Sequence, residues 1–360
     1  MRTAFDHAGM SDNRELPRPL VAPRPGLCVP VRIDPTGRIG PTPWLTRGRL
    51  WRRCGHGWYV PASVLITLEQ RILEASVHLP DVSGVTGWAS LAWRGARWFD
   101  GVGVEGMARA VPLVSAHHDI RAQPGIAISA ERLDPRDIEI IDDVPVTTAA
   151  RSVWFESRYQ PSLIGSVRAI DMAAFDDLVT IAELWDWSHE HPGWTGAPRF
   201  REALSLADEN AWSPREVDPR VIWMVVADLP RLFCNQPIFD RRGNLIGTPD
   251  LLDLEAGLVI EYDGPTHLRV AQRARDVRRE ELFRRHGLEY MVVVAPDLGD
   301  EQGLAARMHR IRRRARFQAE SERSWTIAPP PWWIPTTTVA DRRALTDELR
   351  SKLLGHRKAA

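Results

Sequence analysis

Three carboxylates in the C-terminal half of the chain are spaced to share one face of a β-hairpin. Two short apolar runs flank the turn-like sequence Asp-Leu-Glu-Ala-Gly at 253–257. An antiparallel hairpin centred on this turn pairs residues whose numbers sum to 511, which places Asp250 opposite Glu261. Because side chains alternate along a strand, Asp263 joins the same face. Carboxylates this close raise one another's pKa unless a cation lies between them, and a hard divalent cation prefers oxygen ligands. The spacing therefore predicts a Mg²⁺ or Mn²⁺ site.

The motifs around these acids resemble those of the PD-(D/E)XK nuclease superfamily. Pro249-Asp250 corresponds to its first acidic motif and Glu261-Tyr262-Asp263 to its second. The continuation Asp263-Gly264-Pro265-Thr266-His267 is similar to the E-x-D-G-x-x-H hallmark of the branch related to very-short-patch repair endonucleases. The resemblance covers residues 212–298, about a quarter of the chain. It implies a divalent-metal-dependent DNA endonuclease in which Asp250, Glu261 and the backbone carbonyl of Tyr262 bind the metal.

The superfamily lysine is missing from this chain. Asp263 occupies its position, and the lysines of the sequence are Lys352 and Lys358. Arginine can offset charge on a phosphate, but its pKa is too high for it to activate water. The resemblance implies that His267 moves the proton instead, as an imidazole that titrates near neutral pH can. Asp263 would complete or extend the site. In the alternative interpretation, Asp250 and Asp253 are turn residues and His267 caps the following helix.

A fourth acid, Glu216, lies in the segment Ser213-Pro214-Arg215-Glu216, which opens the region of resemblance. Ser at the N-cap, Pro at the first helical position and Glu at the third form a capping box. In the resembling family a glutamate of the first helix contributes to the metal site, and Glu216 is the matching residue. Pro219 is expected to kink this helix or to move its start to Asp218. Capping and catalysis both remain open for Glu216.

Basic residues are concentrated after the acidic hairpin. Between Arg269 and Arg316 the chain has thirteen arginines and seven acidic residues, a local charge of +6, although its formal net charge is zero. Such a local field can attract a polyanion. Alternatively, the segment is a solvated helix with the internal pairs Glu280–Arg284 and Glu281–Arg285. This interpretation is compatible with the attraction of a polyanion. We expect arginines of the helix at 268–286 to contact DNA phosphates without reading sequence. These are Arg269, Arg273, Arg275, Arg278 and Arg279.

The composition is that of an ordinary globular protein, with 360 residues, 44% hydrophobic and 26% charged. The three cysteines are far apart and form neither a zinc pattern nor a disulfide framework, which suits a reducing compartment. The N-terminal sequence lacks the apolar core of a signal peptide, and no apolar run approaches the roughly 20 residues that span a bilayer. We therefore expect a cytoplasmic protein that does not enter a membrane.

The front of the chain contains a second motif. The sequence at 44–61 predicts a short helix through Arg52-Arg53, a break at Gly55-His56-Gly57 and a strand at 58–60. It resembles the helix and wing of the winged-helix domain of abortive-infection antitoxin-like proteins, whose wing often reads rrGvYvp; here it reads GHGWYVP. The resemblance implies DNA contact, with domain packing or regulation as the alternative. It also suggests a protein partner in a defence or toxin–antitoxin system.

The predicted fold class is therefore α+β and multidomain, with an αβββαβα restriction-endonuclease-like core. The predicted segments are a disordered or extended leader (1–40), a winged-helix-like domain (41–120), a strand-then-helix middle region (121–210), the nuclease-like domain (211–318) and a Pro/Trp-rich tail with a short amphipathic helix (319–360). A non-catalytic DNA-binding regulator or antitoxin-like protein with a degenerate nuclease fold remains the alternative. Loss of the lysine favours the regulator, and retention of the three acids and His267 favours the enzyme.

Overall fold

The protein is a mixed α+β structure with two compact units. A computed structural model describes residue 22 and residues 24–103, 106–116, 120–264 and 270–355, without the side chains of 270–276. One unit contains residues 1–85 and 101–147, and the other contains 86–100 and 148–360. The strands of the predicted middle region thus belong to the first unit and its helices to the second. The division into five segments stays a prediction. No helix in the described ranges has the length and apolar character needed to cross a bilayer.

Two sheets and helix α1 (Leu68–Ser76) form the described part of the first unit. The sheet orders are β1-β3-β2 and β6-β5-β4-β8-β7. Helix α1 begins after Thr67 because the hydroxyl of this residue accepts a hydrogen bond from the Gln70 amide at 3.1 Å. The strands are β1 (Val31–Arg32), β2 (Trp51–Gly55), β3 (Trp58–Pro61), β4 (Ser83–Val85), β5 (Val111–Ser115), β6 (Ile126–Ala130), β7 (Ile138–Ile141) and β8 (Val144–Thr147).

The predicted helix before the wing is wrong in extent. Only Leu45–Arg47 is helical, as a 3-10 turn, and Arg52 and Arg53 lie in β2. The extended backbone of β2 pairs with β3 and directs Arg52 towards α1. There the guanidinium binds both carboxylate oxygens of Glu74, at 2.9 and 2.6 Å. This bidentate pair and the strand pairing outweigh the local helix preference of the sequence.

The second unit carries the acidic hairpin. Its helices are α2 (Gly87–Trp93), α3 (Ala149–Arg158), α4 (Leu163–Phe175), α5 (Ile181–Glu190), α6 (Ala197–Leu206), α7 (Pro214–Val221), α8 (Val270–Arg285), α9 (Glu301–Arg312), α10 (Val339–Arg343) and α11 (Asp347–Leu354). Its strands are β9 (Phe233–Cys234), β10 (Ile238–Asp240), β11 (Leu245–Gly247), β12 (Leu251–Asp253), β13 (Leu258–Asp263), β14 (Glu289–Val294) and β15 (Trp325–Thr326).

A four-stranded sheet of order β14-β13-β12-β9 organises this unit. Strands β13 and β14 are parallel, and the other pairs are antiparallel. The chain order α7, β9, β12, β13, α8, β14, α9 follows the predicted succession of elements, with the β10–β11 hairpin inserted and extended by β15 into a separate sheet. An apolar core that includes Leu252, Val259 and Phe283 joins the hairpins to α8.

The turn between β12 and β13 has a local cause. The Asp253 carboxylate accepts hydrogen bonds from the amides of Glu255 and Ala256, at 3.1 and 3.2 Å. Gly257 adopts a φ of 69°, which favours a residue without a Cβ atom. Together they fix the pairing Leu251↔Ile260 and Leu252↔Val259, which confirms the predicted register.

The capping box predicted at the start of α7 is wrong, because Ser213 makes no side-chain cap hydrogen bond. Of the two effects predicted for Pro219, the later start is wrong, since the helix starts at Pro214. The α-helix gives way to a π-helical turn at Ile222–Val226, shortly after Pro219. Strands β9 and β10 are separated at Asn235, which has a φ of 45°.

Candidate active site

Asp250 lies immediately before β12 and is hydrogen-bonded to Asn235, which follows β9, and to Tyr262 of β13. Its carbonyl accepts a hydrogen bond from the Asn235 amide at 2.9 Å. Its carboxylate Oδ2 accepts from the Tyr262 amide at 2.7 Å. The side chain is therefore fixed towards β13, beside Glu261, as the hairpin register predicts. A backbone donor on the carboxylate also stabilises its ionised form.

Glu216 on α7 is buried, with 8% of the residue exposed. Its Oε2 accepts hydrogen bonds from the Trp212 amide at 2.9 Å and from Asn235 Nδ2 at 2.7 Å. Burial, and then the negative charge of Asp250, raise the pKa of Glu216 to about 8. The two carboxyl groups therefore interact across the gap between α7 and the sheet. A raised pKa caused by burial and a like charge is typical of functional sites.

An asparagine pair positions these acids and was not predicted from the sequence. Asn235 Nδ2 donates to the Asn210 carbonyl at 2.8 Å, and Asn210 Nδ2 donates to the Cys234 and Asn235 carbonyls at 2.8 and 3.0 Å. Asn235 thus contacts Glu216 through its side chain and Asp250 through its backbone. The left-handed backbone of Asn235, which Asn tolerates better than most residues, places both groups correctly. No sequence signal marks this role, since asparagine in a loop is common.

Glu261 on β13 faces a guanidinium from α8. Arg279 Nη2 lies 3.0 Å from Glu261 Oε1, and Arg279 donates its hydrogen bond to the Thr248 carbonyl. The side chains are 39% and 14% exposed, so Glu261 is the more deeply placed partner. Burial, and then the charge of Glu261, raise the pKa of Tyr290 on β14. Arg279, predicted to contact DNA phosphates, therefore faces the carboxylate site.

The remaining predicted residues are distributed around this group. Asp263 occupies the exposed end of β13. Arg278 is exposed on α8. Arg273 and Arg275 belong to α8, but their side chains lie outside the described atoms. His267 and Arg269 also lie outside the described residues.

The described contacts thus join Glu216 of α7 to Asp250 through Asn235, and the hairpin register places Glu261 of β13 opposite Asp250. Within the described ranges, no three Asp, Glu, His or Cys side chains are arranged as a metal-binding group. The predicted ligand set contains only two such side chains, Asp250 and Glu261, because its third member is the Tyr262 carbonyl. Comparisons with family models, with curated proteins and with solved structures found no match to this chain.

Proposed function

We propose that the protein is a divalent-metal-dependent DNA endonuclease that hydrolyses phosphodiester bonds. The observation that carries the proposal is the placement of the buried Glu216 beside Asp250, whose charge helps to raise the Glu216 pKa to about 8, with Glu261 opposite Asp250 in the hairpin register. Buried carboxyl groups that repel one another are costly to a fold unless they serve a purpose. The proposal rests on this chemistry together with the resemblance to the PD-(D/E)XK superfamily.

The donor set fits a hard divalent cation. Asp250 and Glu261, with the Tyr262 carbonyl, would hold Mg²⁺ or Mn²⁺ through oxygen ligands. Such a cation, when bound, lowers the pKa of its water and offsets charge on the phosphate. Burial, and then the negative charge of Asp250, raise the pKa of Glu216, and a cation bound between the carboxyl groups would offset the second of these causes.

Other side chains of this protein are proposed to transfer the proton and to bind the flanking phosphates. Burial, and then the charge of Asp250, favour the protonated form of Glu216. The Trp212 amide and Asn235 donate to its Oε2, so its position is fixed. His267 is proposed to move a proton in place of the missing lysine, with Asp263 extending the site. Arginines of α8, Arg278 among them, are proposed to hold flanking phosphates.

The finer architecture belongs to the same proposal. We infer a restriction-endonuclease-like core formed by α7, α8, α9 and the sheet β14-β13-β12-β9. We also propose that the front unit is winged-helix-like, that the protein is cytoplasmic, and that a protein partner from a defence or toxin–antitoxin system completes its role. The five segments predicted from the sequence are retained as the proposed domain organisation.

One observation favours a second candidate, a non-catalytic DNA-binding regulator with a degenerate nuclease fold. Arg279 already provides Glu261 with a positive neighbour at 3.0 Å. Because Arg279 already offsets the charge of Glu261, a metal ion at this carboxylate stabilises the protein less. The absence of the superfamily lysine also favours the regulator. The two candidates differ in whether a divalent cation can displace Arg279 from Glu261.

A cleavage assay separates them. Wild type, Glu261→Gln and the control Glu281→Gln are incubated with supercoiled, mismatched and single-stranded DNA in Mg²⁺, Mn²⁺ or EDTA. Glu281 is a suitable control because it is 57% exposed in a surface pair with Arg285. We expect metal-dependent cleavage by wild type and Glu281→Gln and none by Glu261→Gln or in EDTA. Absence of cleavage by wild type on all substrates supports the regulator, and equal cleavage by Glu261→Gln contradicts this active site.

A further inference from the structure

The first unit contains an open pocket of about 300 Å³ beside the β2–β3 turn. This volume is at the lower end of the range of small-molecule sites, roughly 300–1,000 Å³. Arg32, His56, Trp58, His78, Arg121 and Gln123 supply its polar and aromatic lining. No acidic side chain is among the described residues that line it. The pocket therefore combines a strongly basic lining with one aromatic wall.

His56 lies between two guanidinium groups. Arg53 Nη2 is 3.2 Å from His56 Nδ1, and Arg121 Nη1 is 3.0 Å from His56 Nε2. A neutral imidazole has one acceptor nitrogen, and a protonated imidazole has none. Whichever form His56 takes, at least one guanidinium therefore faces an N–H group rather than an acceptor. This arrangement leaves donors that an anion can satisfy.

The other basic groups of the pocket increase this excess of positive charge. The Arg32 guanidinium lies over the Trp58 ring at 4.4 Å, and the Trp58 ring meets His78 edge to face at 6.5 Å. Burial, and then the charges of Arg32 and His56, lower the pKa of His78. His78 Nε2 is buried without a hydrogen-bond partner in the described structure. In the described part of the chain, no carboxylate forms an ion pair with Arg32, Arg53 or Arg121.

We propose that this pocket binds the phosphate group of a ligand, with Arg121 and Arg32 as its main contacts. Guanidinium groups bind phosphate oxygens through paired, charge-assisted hydrogen bonds. The phosphate relieves the repulsion around His56 by accepting from Arg121. The ligand is either a free nucleotide, whose base has Trp58 beside it, or the backbone of a nucleic acid. This site is separate from the carboxylates of the second unit and does not depend on their function.

Gln123 provides a sharp test because it already touches the basic cluster. Its Oε1 accepts a hydrogen bond from the His56 amide at 3.0 Å. Gln123→Glu keeps this acceptor and the side-chain shape but adds a negative charge inside the pocket. The variant should be at least as stable to heat as wild type and should lose phosphate binding. If the role of the cluster is purely structural, the thermal stability should be retained in the same way and the phosphate affinity should not change.

Calorimetric titration of the full chain with inorganic phosphate, adenosine diphosphate and a short DNA duplex tests the proposal. Wild type should bind a phosphate-bearing probe saturably, and Arg121→Gln and Arg32→Gln should weaken it roughly tenfold to a hundredfold, as expected for a lost charged hydrogen bond. Arg136→Gln is the matched control, since Arg136 is 89% exposed and pairs with its neighbour Asp134.

Tight adenosine diphosphate binding identifies a nucleotide as the source, and tighter duplex binding that Gln123→Glu weakens identifies a nucleic-acid backbone. Each result supports the phosphate site. Absence of saturable binding of all three probes to wild type overturns it. Binding that survives unchanged in Arg121→Gln, Arg32→Gln and Gln123→Glu overturns it as well.

Discussion

Arg279 Nη2 of α8 lies 3.0 Å from Glu261 Oε1 of β13, so a guanidinium occupies the neighbourhood in which a metal-binding carboxylate would meet its cation. The proposed metal and Arg279 therefore compete for the same negative charge. The Thr248 carbonyl, which accepts a hydrogen bond from Arg279, sets the position of the guanidinium. The strength of this contact decides how readily the carboxylates accept a cation.

Replacing Arg279 should therefore strengthen metal binding. Arg279→Gln is expected to raise the Mn²⁺ affinity by up to about tenfold, a modest change because the Arg279 side chain is 39% exposed and solvent screens its charge. The metal-free variant should unfold more easily than wild type, since Glu261 loses its counter-charge. Calorimetry and urea unfolding measure the two effects. Arg278→Gln, on the exposed surface of the same helix, is the control, and equal Mn²⁺ affinity in Arg279→Gln and wild type would argue against competition.

Glu216 should make the stability of the fold depend on pH. Its pKa is raised from an ordinary 4.5 to about 8, so the folded state favours the protonated form. The contribution of Glu216 to the free energy of unfolding is therefore fully present below about pH 4.5. It is lost as the pH rises through 8, at up to about 1.4 kcal/mol per pH unit. Glu216→Gln keeps an oxygen acceptor for Trp212 and Asn235 but cannot ionise.

Thermal unfolding between pH 5 and pH 9 checks this expectation. Wild type and the surface control Glu281→Gln should lose stability over the range, and Glu216→Gln should lose clearly less. Parallel curves for wild type and Glu216→Gln would mean that the Glu216 pKa is not raised in the folded protein.

The hairpin shows which parts of the site the sequence can predict. A five-residue turn with Asp253 at its start and a glycine at its end fixes the register by local rules, and the pairing Leu251↔Ile260 confirms it. The opposition of Asp250 and Glu261 follows from strand geometry alone. A short helix was likewise predicted in the tail at 319–360, and α11 is present there at Asp347–Leu354.

The failures arise where distant partners decide the local structure. Capping was one of the two roles left open for Glu216, but the side chain of Asn235, nineteen residues away, donates a hydrogen bond to its carboxylate. Arg52 was predicted to lie in a helix, but it lies in strand β2, where its guanidinium donates hydrogen bonds to Glu74 of α1. The contact of Arg279 with Glu261 was not predicted, because no local pattern reveals which way α8 turns this side chain, and its phosphate contact stays a prediction. Such pairings depend on the packing of whole elements, which residue spacing does not encode.

A buried ion pair between α7 and α4 is expected to stabilise the position of α7, which carries Glu216. Arg220 of α7 and Asp171 of α4 form a hydrogen-bonded pair whose side chains are 1% and 0% exposed. Arg220→Met leaves Asp171 buried without this partner and should cost roughly 3–5 kcal/mol of unfolding free energy. Adding Asp171→Leu should recover part of the loss, because the uncompensated charge is removed. Urea unfolding measures both, with the half-exposed Arg231→Met as control. A loss near zero in Arg220→Met would show that the pair does not support α7.

His267 separates an enzyme from a regulator. If this histidine replaces the missing lysine, His267→Ala should reduce cleavage by roughly 10²–10⁴-fold while metal and DNA binding persist. Single-turnover cleavage, together with Mn²⁺ and DNA titrations, measures the three quantities. His309→Ala on α9 is the control. Cleavage by His267→Ala at the wild-type rate would assign the proton transfer to Glu216, Asp263 or solvent.

The central claim is that Asp250 and Glu261 form a divalent-cation site, and calorimetric Mn²⁺ titration of the full-length protein tests it most directly. Wild type and Glu281→Gln should bind Mn²⁺ with the same affinity, because Glu281 is 57% exposed in a surface pair with Arg285. Asp250→Asn and Glu261→Gln should each abolish binding while leaving the fold intact, since each removes one charged ligand and one source of repulsion. Saturable Mn²⁺ binding that is unchanged in both variants, or absent from wild type, would contradict the account.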